Sequence, residues 1–592
     1  MQPYVAAALQ FNPQLFQTES NVHRLYSMVE RAAADGAKLI VTPEMATTGC
    51  HYRDRGQIAP YVSIVPGAVT DLFSQVARKY ECYIAIGLPE RELTTGLFYN
   101  TAALVGPHGY LGKYRKTHLW ETEGHWAAWG NLGIPVFDTG VGRLALLICM
   151  DAYFFETFRL AAIQGADVIA FLTNSSGGAI ANLQARAAEN GLYVVSANRS
   201  DREMDHTMKG SSSIWDPTGR LLAQGGTGGE EIVQTLIDPG RFQNRGKLLQ
   251  DRRRPEIYCD LALHIAPWNS HKSQVSNNVT VACCQYEPVV ADRQANMAEV
   301  AELLQRAFRL AKTKAQNIEL LVLPELTFCG PSAHLNPEGA FGLAEQIETA
   351  AGVLGSSTAF VAAMAKSLAV IIVFGLIEQE GNLLYNTAVI VGQDGTVIGR
   401  YRKTHLKEAE QAWATPGDEF VVVPIPDVGN VGLAIGSDVL FPEVFALLAT
   451  KRADMVAIPS AWAADEGGLI EVDKSIHPDA GKAQFLWDIR ARDNCFYLLV
   501  ANYTDNALGY EGGSGVYAID PIYGLDKSVF LGPMEEDVLI TDVVTAPANW
   551  YTQDHFLACR RMDETYYPLL IRKNEERACS KTRKCLRFEM RK

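Results

Sequence analysis

Residues Arg143–Glu156 read RLALLICMDAYFFE, and the change of character halfway along this stretch decides the fold class. Leu144, Ala145, Leu146, Leu147 and Ile148 form an apolar run of strand length with no polar alternation, the pattern of a strand buried on both faces. The run stops at Cys149-Met150-Asp151, and an amphipathic helical pattern is expected from there through Gln164. A doubly buried strand feeding a helix points to an α/β protein. The turn between them exposes a thiol, and a helix N-terminus favours its thiolate form. Cys149 therefore has two readings: a small buried hydrophobe, as most free cysteines are, or a nucleophile.

Working outward, Val5–Leu9 reads as a strand, Asn21–Ala34 as a helix with Leu25, Met28, Val29 and Ala32 on one face, and Ala37–Val41 as a strand ending in Pro43-Glu44. The same order of words then recurs. ALQFNP at Ala8 returns as CCQYEP at Cys283, and VTPEM at Val41 as VLPEL at Val322. YNTAALVGPHG at Tyr99 returns as YNTAVIVGQDG at Tyr385, and GKYRKTHL at Gly112 as GRYRKTHL at Gly399. A length of 592 residues suggests about three or four domains, but the repeat reduces these to two copies of one α/β unit. The expected boundaries are 1–266 for the first copy, 267–278 for a polar linker, 279–571 for the second copy and 572–592 for a basic tail.

Composition excludes several classes of function. A net charge of -14 argues against a nucleic-acid-binding surface, and no apolar run approaches a membrane span. Eleven cysteines without regular spacing make neither a disulfide framework nor a zinc motif. The start, MQPYVAAALQFNPQ, reads as a first strand and not as a leader, so a reducing cytoplasm is the expected compartment.

Within the first copy Glu44 ends a strand, Lys116 lies in a loop and Cys149 ends a strand. A carboxylate can take a thiol proton, an ammonium can stabilise an oxyanion, and a thiolate can attack a carbonyl or nitrile carbon. Taken singly, Glu44 could equally cap a helix and Lys116 be a solvated charge. Together, Pro43-Glu44, YRKTHL at Tyr114, ICMD at Ile148 and RRPEIY at Arg253 resemble the nitrilase superfamily of carbon–nitrogen hydrolases, and the resemblance runs almost twice through the chain.

The resemblance implies two αββα sandwiches in tandem and a catalytic Glu44, Lys116 and Cys149. It implies a second glutamate, Glu123, with a role either in proton transfer or in holding Lys116. It also implies acyl transfer through a Cys149 thioester, with Lys116 and a backbone N–H, that of Met150, holding the oxyanion. No metal or organic cofactor is expected. In the second copy Glu325, Lys403 and Glu410 survive, but the position of Cys149 falls on Gly436, so this half is expected to be catalytically silent. Ser437 takes the place of Met150 and should point elsewhere. Family members pair through one face, so the silent copy could supply that face as an intramolecular αββα–αββα pseudo-dimer; further homo-oligomerisation stays open.

Cys149-Met150-Asp151 departs from the Cys-Trp-Glu usual in true nitrilases and favours amide-type substrates. Asn174-Ser175 stands where the second copy has Ala461-Trp462, which should enlarge the substrate pocket or make it more polar. His118, Trp120, His125, Trp126 and Trp129 crowd the loop after Lys116, some packing it and some, Trp120 foremost, facing substrate. Arg159, Arg186 and Arg199 are the arginines that a carbamoylase could use to grip a carboxylate. The partner expected is a small-molecule amide. Amide hydrolysis ranks first, N-carbamoyl hydrolysis second, nitrile hydrolysis or hydration third and transfer to another acceptor fourth. A non-catalytic scaffold is the alternative from a different class.

Overall fold

The computed structural model describes residues 2–238, 245–263, 267–268, 275–331, 336–463, 484–505, 507–520, 526–546 and 570–571. The basic tail at 572–592 and half of the linker, 269–274, lie outside the described residues. The strand Asn277–Gln285 pairs from its first residue with Thr545, so the last two residues assigned to the linker already belong to the second copy's sheet.

Each half builds two six-stranded sheets among the described residues. In the front half one sheet runs Glu231–Ile237, Tyr4–Gln10, Ala37–Val41, Tyr83–Arg91, Phe98–Gly106 and Gly109–Arg115. The other runs Leu221–Gln224, Ser213–Trp215, Tyr193–Ala197, Val168–Leu172, Gly142–Ile148 and Val136–Thr139. Helices Thr18–Ala34 and Ala68–Tyr80 cover the first sheet, packing Leu25, Val29, Phe73 and Val76 against Leu9, Ile40 and Ile84. Helices Phe155–Ile163 and Leu183–Asn190 cover the second. The result is an αββα sandwich, and the back half repeats it strand for strand. Parallel pairing of Ile148 with Leu172 and of Leu172 with Ala197 lines up the carboxyl ends of three strands, the edge where open α/β sheets place ligands.

Two expectations change. The first helix begins at Thr18, three residues before Asn21. The stretch after Cys149 is not an amphipathic helix: a 3-10 turn, Cys149–Tyr153, precedes the helix Phe155–Ile163, whose residues from Phe155 to Ala162 are all buried. Amphipathicity fails because the helix has no wet face. It packs on its own sheet and also against Pro442–Thr450 and Gln484–Asn494 of the back half, in one continuous core. Charged side chains at this contact are paired across it. Arg186 binds Asp493, Arg490 donates to Glu189 at 2.7 Å, and Glu443 takes Arg159 at 3.1 Å and Arg253 at 2.7 Å. All seven are buried, the state in which an ion pair must be complete to be tolerated.

Candidate active site

Three strand ends assemble the site. Glu44 follows Ala37–Val41 by three residues, Lys116 directly follows Gly109–Arg115, and Cys149 directly follows Gly142–Ile148. Cys149 sits at φ +42°, a left-handed conformation that costs a residue with a Cβ about 1–2 kcal/mol. Asp151 holds this turn. Its carboxylate accepts the Ile148 N–H at 2.8 Å and the Tyr114 hydroxyl at 2.7 Å, and His118 Nδ1 lies 3.0 Å from it. The cysteine turn is thereby tied to the lysine loop. Gly130 lets that loop close, since a Cβ there would lie 1.9 Å from the Arg115 carbonyl oxygen.

Lys116, only 1% exposed, donates to Glu44 Oε1 at 2.7 Å and to Glu123 Oε2 at 2.6 Å. Asn100 Nδ2 bridges the same two carboxylates, at 2.8 Å to Glu44 and 2.6 Å to Glu123. One buried cation thus serves two buried acids, and the imbalance shows at Glu44 and at Lys116 itself. Burial, with Glu123 adding to it, raises the Glu44 carboxyl above its ordinary value even though Lys116 opposes the shift. Burial pulls the Lys116 ammonium down, but Glu123 and Glu44 outweigh it and hold the group well above its usual range.

The Cys149 thiol is pushed up to about 12 by burial and the Glu44 carboxylate, against Lys116 and weaker hydrogen bonding from Thr173 and the Asn174 N–H. This corrects the expected thiolate. A low-dielectric site beside a carboxylate disfavours a second negative charge more than a short helical turn favours it. The resting group is a thiol, and a base must open its chemistry.

One cavity of about 100 Å³ joins these groups, and its wall holds all eight residues singled out from sequence: Glu44, Lys116, Glu123, Cys149, Trp120, Met150, Asn174 and Ser175. The Trp120 N–H also donates to Glu123 at 2.6 Å. The other rings divide as packing and surface. His118 stacks on Phe154 at 4.0 Å, Trp126 is buried against Tyr52, and Trp129 is 59% exposed. Ser175 Oγ accepts the Gly177 N–H at 3.0 Å and so serves the local turn. None of the three arginines is presented to a substrate. Arg159 and Arg186 belong to the contact between halves, and Arg199 pairs with Asp201 at 2.8 Å and Glu203 at 3.0 Å.

Sequence reading missed Asn100, Asp151, and a cluster of Cys50, His51 and Glu203 on the cavity's flank. Asn100 and Asp151 carried a signal, since their words recur at Asn386 and Asp438. The cluster carried none, because Cys50 and Glu203 stand 153 positions apart. Its donor atoms lie within 4.8 Å of one another, close enough to suggest a metal. However, Glu203 Oε1 already accepts from the Cys50 and His51 N–H groups, each at 2.9 Å, with the thiol at 3.2 Å and His51 Nδ1 at 2.9 Å. The Arg199 guanidinium occupies its other oxygen. The cluster is satisfied by hydrogen bonds and an ion pair without a cation.

Comparison with known proteins finds a family match in both halves. A carbon–nitrogen hydrolase family model matches residues 5–246 and 280–547. A nitrilase of Pyrococcus abyssi is 34% identical over 254 residues, covering 42% of this chain and 96% of that protein. A formamidase of Bacillus cereus is 30% identical over 248 residues, covering 40% of this chain and 74% of that protein. Among solved structures, an amidase from Nesterenkonia sp. AN1 in complex with acrylamide is similar at 26% identity and TM-score 0.38, covering 43% of this chain and 96% of that one.

Proposed function

The chain belongs to the carbon–nitrogen hydrolase family, and on that premise we propose that its front half hydrolyses a small uncharged carboxamide to a carboxylic acid and ammonia. The observation that carries this is the shared cavity: a protonated thiol, a carboxylate of raised basicity and a buried ammonium all open onto it. Glu44 takes the Cys149 proton as sulfur attacks the carbonyl carbon. The electron pair displaced onto oxygen is held by Lys116 and the Met150 N–H. Collapse of the tetrahedral species breaks the C–N bond, and Glu44 returns its proton to nitrogen, releasing ammonia. Water then attacks the thioester with Glu44 as base, the C–S bond breaks, and the thiol is restored. Glu123 holds Lys116 through its 2.6 Å contact.

Size and charge argue for the substrate class. A cavity of about 100 Å³ is about three times the share of liquid volume taken by one water, room for a short acyl group. With Arg159, Arg186 and Arg199 committed to acids, the wall offers no arginine for a substrate carboxylate, which ranks N-carbamoyl amino acids below simple amides. The described cysteines are free thiols, and we take a reducing cytoplasm as their compartment. An ammonia-release screen over formamide, acetamide, propionamide, N-carbamoyl amino acids and the matching nitriles tests the reading. Turnover of short amides that vanishes in Cys149→Ala supports it. Turnover confined to nitriles, or surviving that substitution, sinks it.

A further inference from the structure

Among the residues lining the cavity, Asn174 alone carries shielded polar atoms with no partner: Oδ1 and Nδ2 are both closed off from solvent, and neither makes a hydrogen bond. Around the reacting groups the polar wall is committed. Glu44, Lys116 and Glu123 bind one another, Cys50 and His51 bind Glu203, and Ser175 Oγ accepts backbone N–H groups. The backbone beneath Asn174 is fixed as well. Asn198 accepts the Ser175 N–H at 2.8 Å and donates to the Ser175 carbonyl at 3.0 Å, while the Asn174 N–H supports the Cys149 sulfur. A residue anchored beside the nucleophile and ending in an unpaired amide is placed to read what the nucleophile attacks. The back half, which has no thiol, has Ala461 at this position and a buried Trp462 next to it.

We propose that Asn174 recognises a second neutral amide-type group on the acyl part of the substrate, so that the preferred substrates are small diamides or ureido-amides and not plain aliphatic amides. This rests on the amidase reading above and narrows it. A side-chain amide offers an acceptor and a donor side by side. The complement that fills both is a carboxamide or ureido group, which presents the same pair in reverse. A purely apolar acyl chain would leave both shielded atoms unpaired, and sites built around such atoms discriminate strongly against ligands that cannot satisfy them.

The test uses two amides with the same heavy-atom skeleton, malonamide and 3-methylbutyramide, one with a hydrogen-bonding far end and one with an apolar far end. Wild-type kcat/KM is expected to favour malonamide on the order of tenfold or more, and Asn174→Leu to reverse the order, with the change carried by KM. Retained turnover of 3-methylbutyramide by Asn174→Leu shows the variant to be folded, and Asn174→Ala is the second variant if it is not. Calorimetric binding of both compounds to Cys149→Ala, with and without Asn174→Leu, reads the same preference without chemistry. An equal or apolar-favouring wild type overturns the proposal, as does a preference untouched by Asn174→Leu. Hydrolysis of both amides without preference would sink this proposal and leave the amidase reading standing. Hydrolysis of neither, with malonamide still bound through Asn174, would do the reverse.

Discussion

The front and back halves hold the same cradle and differ in what faces it. In front, Lys116 sits between Glu44 and Glu123, with Asn100 bridging them; behind, Lys403 sits between Glu325 and Glu410, at 2.8 and 2.7 Å, with Asn386 bridging. Cys149 and Gly436 share the left-handed turn, at φ +42° and +36°, which only the glycine adopts without strain. In front, the Asn174 N–H supports the thiol. Behind, the equivalent Ala461 N–H donates to Glu325 Oε2 at 2.9 Å, and a Cβ added to Gly436 would lie 2.5 Å from that oxygen. The back-half carboxylate has moved into the space that sulfur would need. On the proposed reading a site can lose its chemistry and keep its charges, because deleting the lysine would strand two buried carboxylates. The cradle persists as structure.

The largest test of this comparison exchanges the residue at the turn. Cys149→Ala is expected to reduce amide turnover by on the order of 10⁴ or more. Gly436→Cys is expected to add no second site, so that after labelling with a small electrophilic amide, peptide mapping finds modification at Cys149 and none at position 436. Modification at position 436 would break the account of a filled back site. Next in size is Glu44→Gln, expected to cost about 10²–10⁴ in kcat/KM because it removes both the base and the proton donor to the leaving nitrogen. It also removes the carboxylate charge that helps raise the Cys149 thiol, so turnover and not alkylation is the readout, and unchanged turnover would move the base elsewhere.

The third test separates charge as structure from charge as chemistry. Lys116→Met and Lys403→Met should each destabilise the protein by about 3–5 kcal/mol, the usual cost of stripping a buried ion pair of one partner, seen as a lower midpoint in denaturant. Only Lys116→Met should lose turnover under conditions where both variants remain folded. Equal loss from Lys403→Met would mean that the halves are coupled in chemistry and not only in packing. Such coupling has a visible route: Met150 and Phe154 pack against Cys495 and Ile519 of the back half, and Arg186, bound to Asp493, donates to the Ala152 carbonyl at 3.0 Å. Asp493→Ala, which weakens that route and leaves Arg186 with Glu189, is expected to lower kcat severalfold with KM little changed. An unaltered kcat would leave the back half a purely passive face.

What could be read from sequence followed from short-range pattern. The strand Gly142–Ile148 declared itself by an unbroken apolar run, and the doubled sandwich by words such as YRKTHL returning in order. Lys116, Glu123 and their twins were legible because both copies keep the same spacing of seven. What stayed hidden depended on distant neighbours. The helix Phe155–Ile163 looked amphipathic because nothing local says that a second half will cover its other face. The thiol looked ready to ionise because burial beside Glu44 is a property of the assembled cavity. Cys50 looked like one free cysteine among many until Glu203 arrived from across the front half.

The finest test of the comparison turns on the proton of Glu44. Glu44 is raised above the ordinary 4.5 by burial and, in part, by Glu123. It must be ionised to act as base, so activity is present above its pKa and is lost as pH falls through it. The acid limb of kcat/KM should therefore lie above 4.5 in the wild type. Glu123→Gln removes one of the two negative neighbours of Lys116 and with it the repulsion that helps hold the Glu44 proton, so the limb should move to lower pH while maximal turnover falls. Glu410→Gln makes the same change in the back half, where no thiol waits for a base, and should leave the limb where it was. A limb that ignores Glu123→Gln, or follows Glu410→Gln, would show that the acid titrating in the profile is not Glu44.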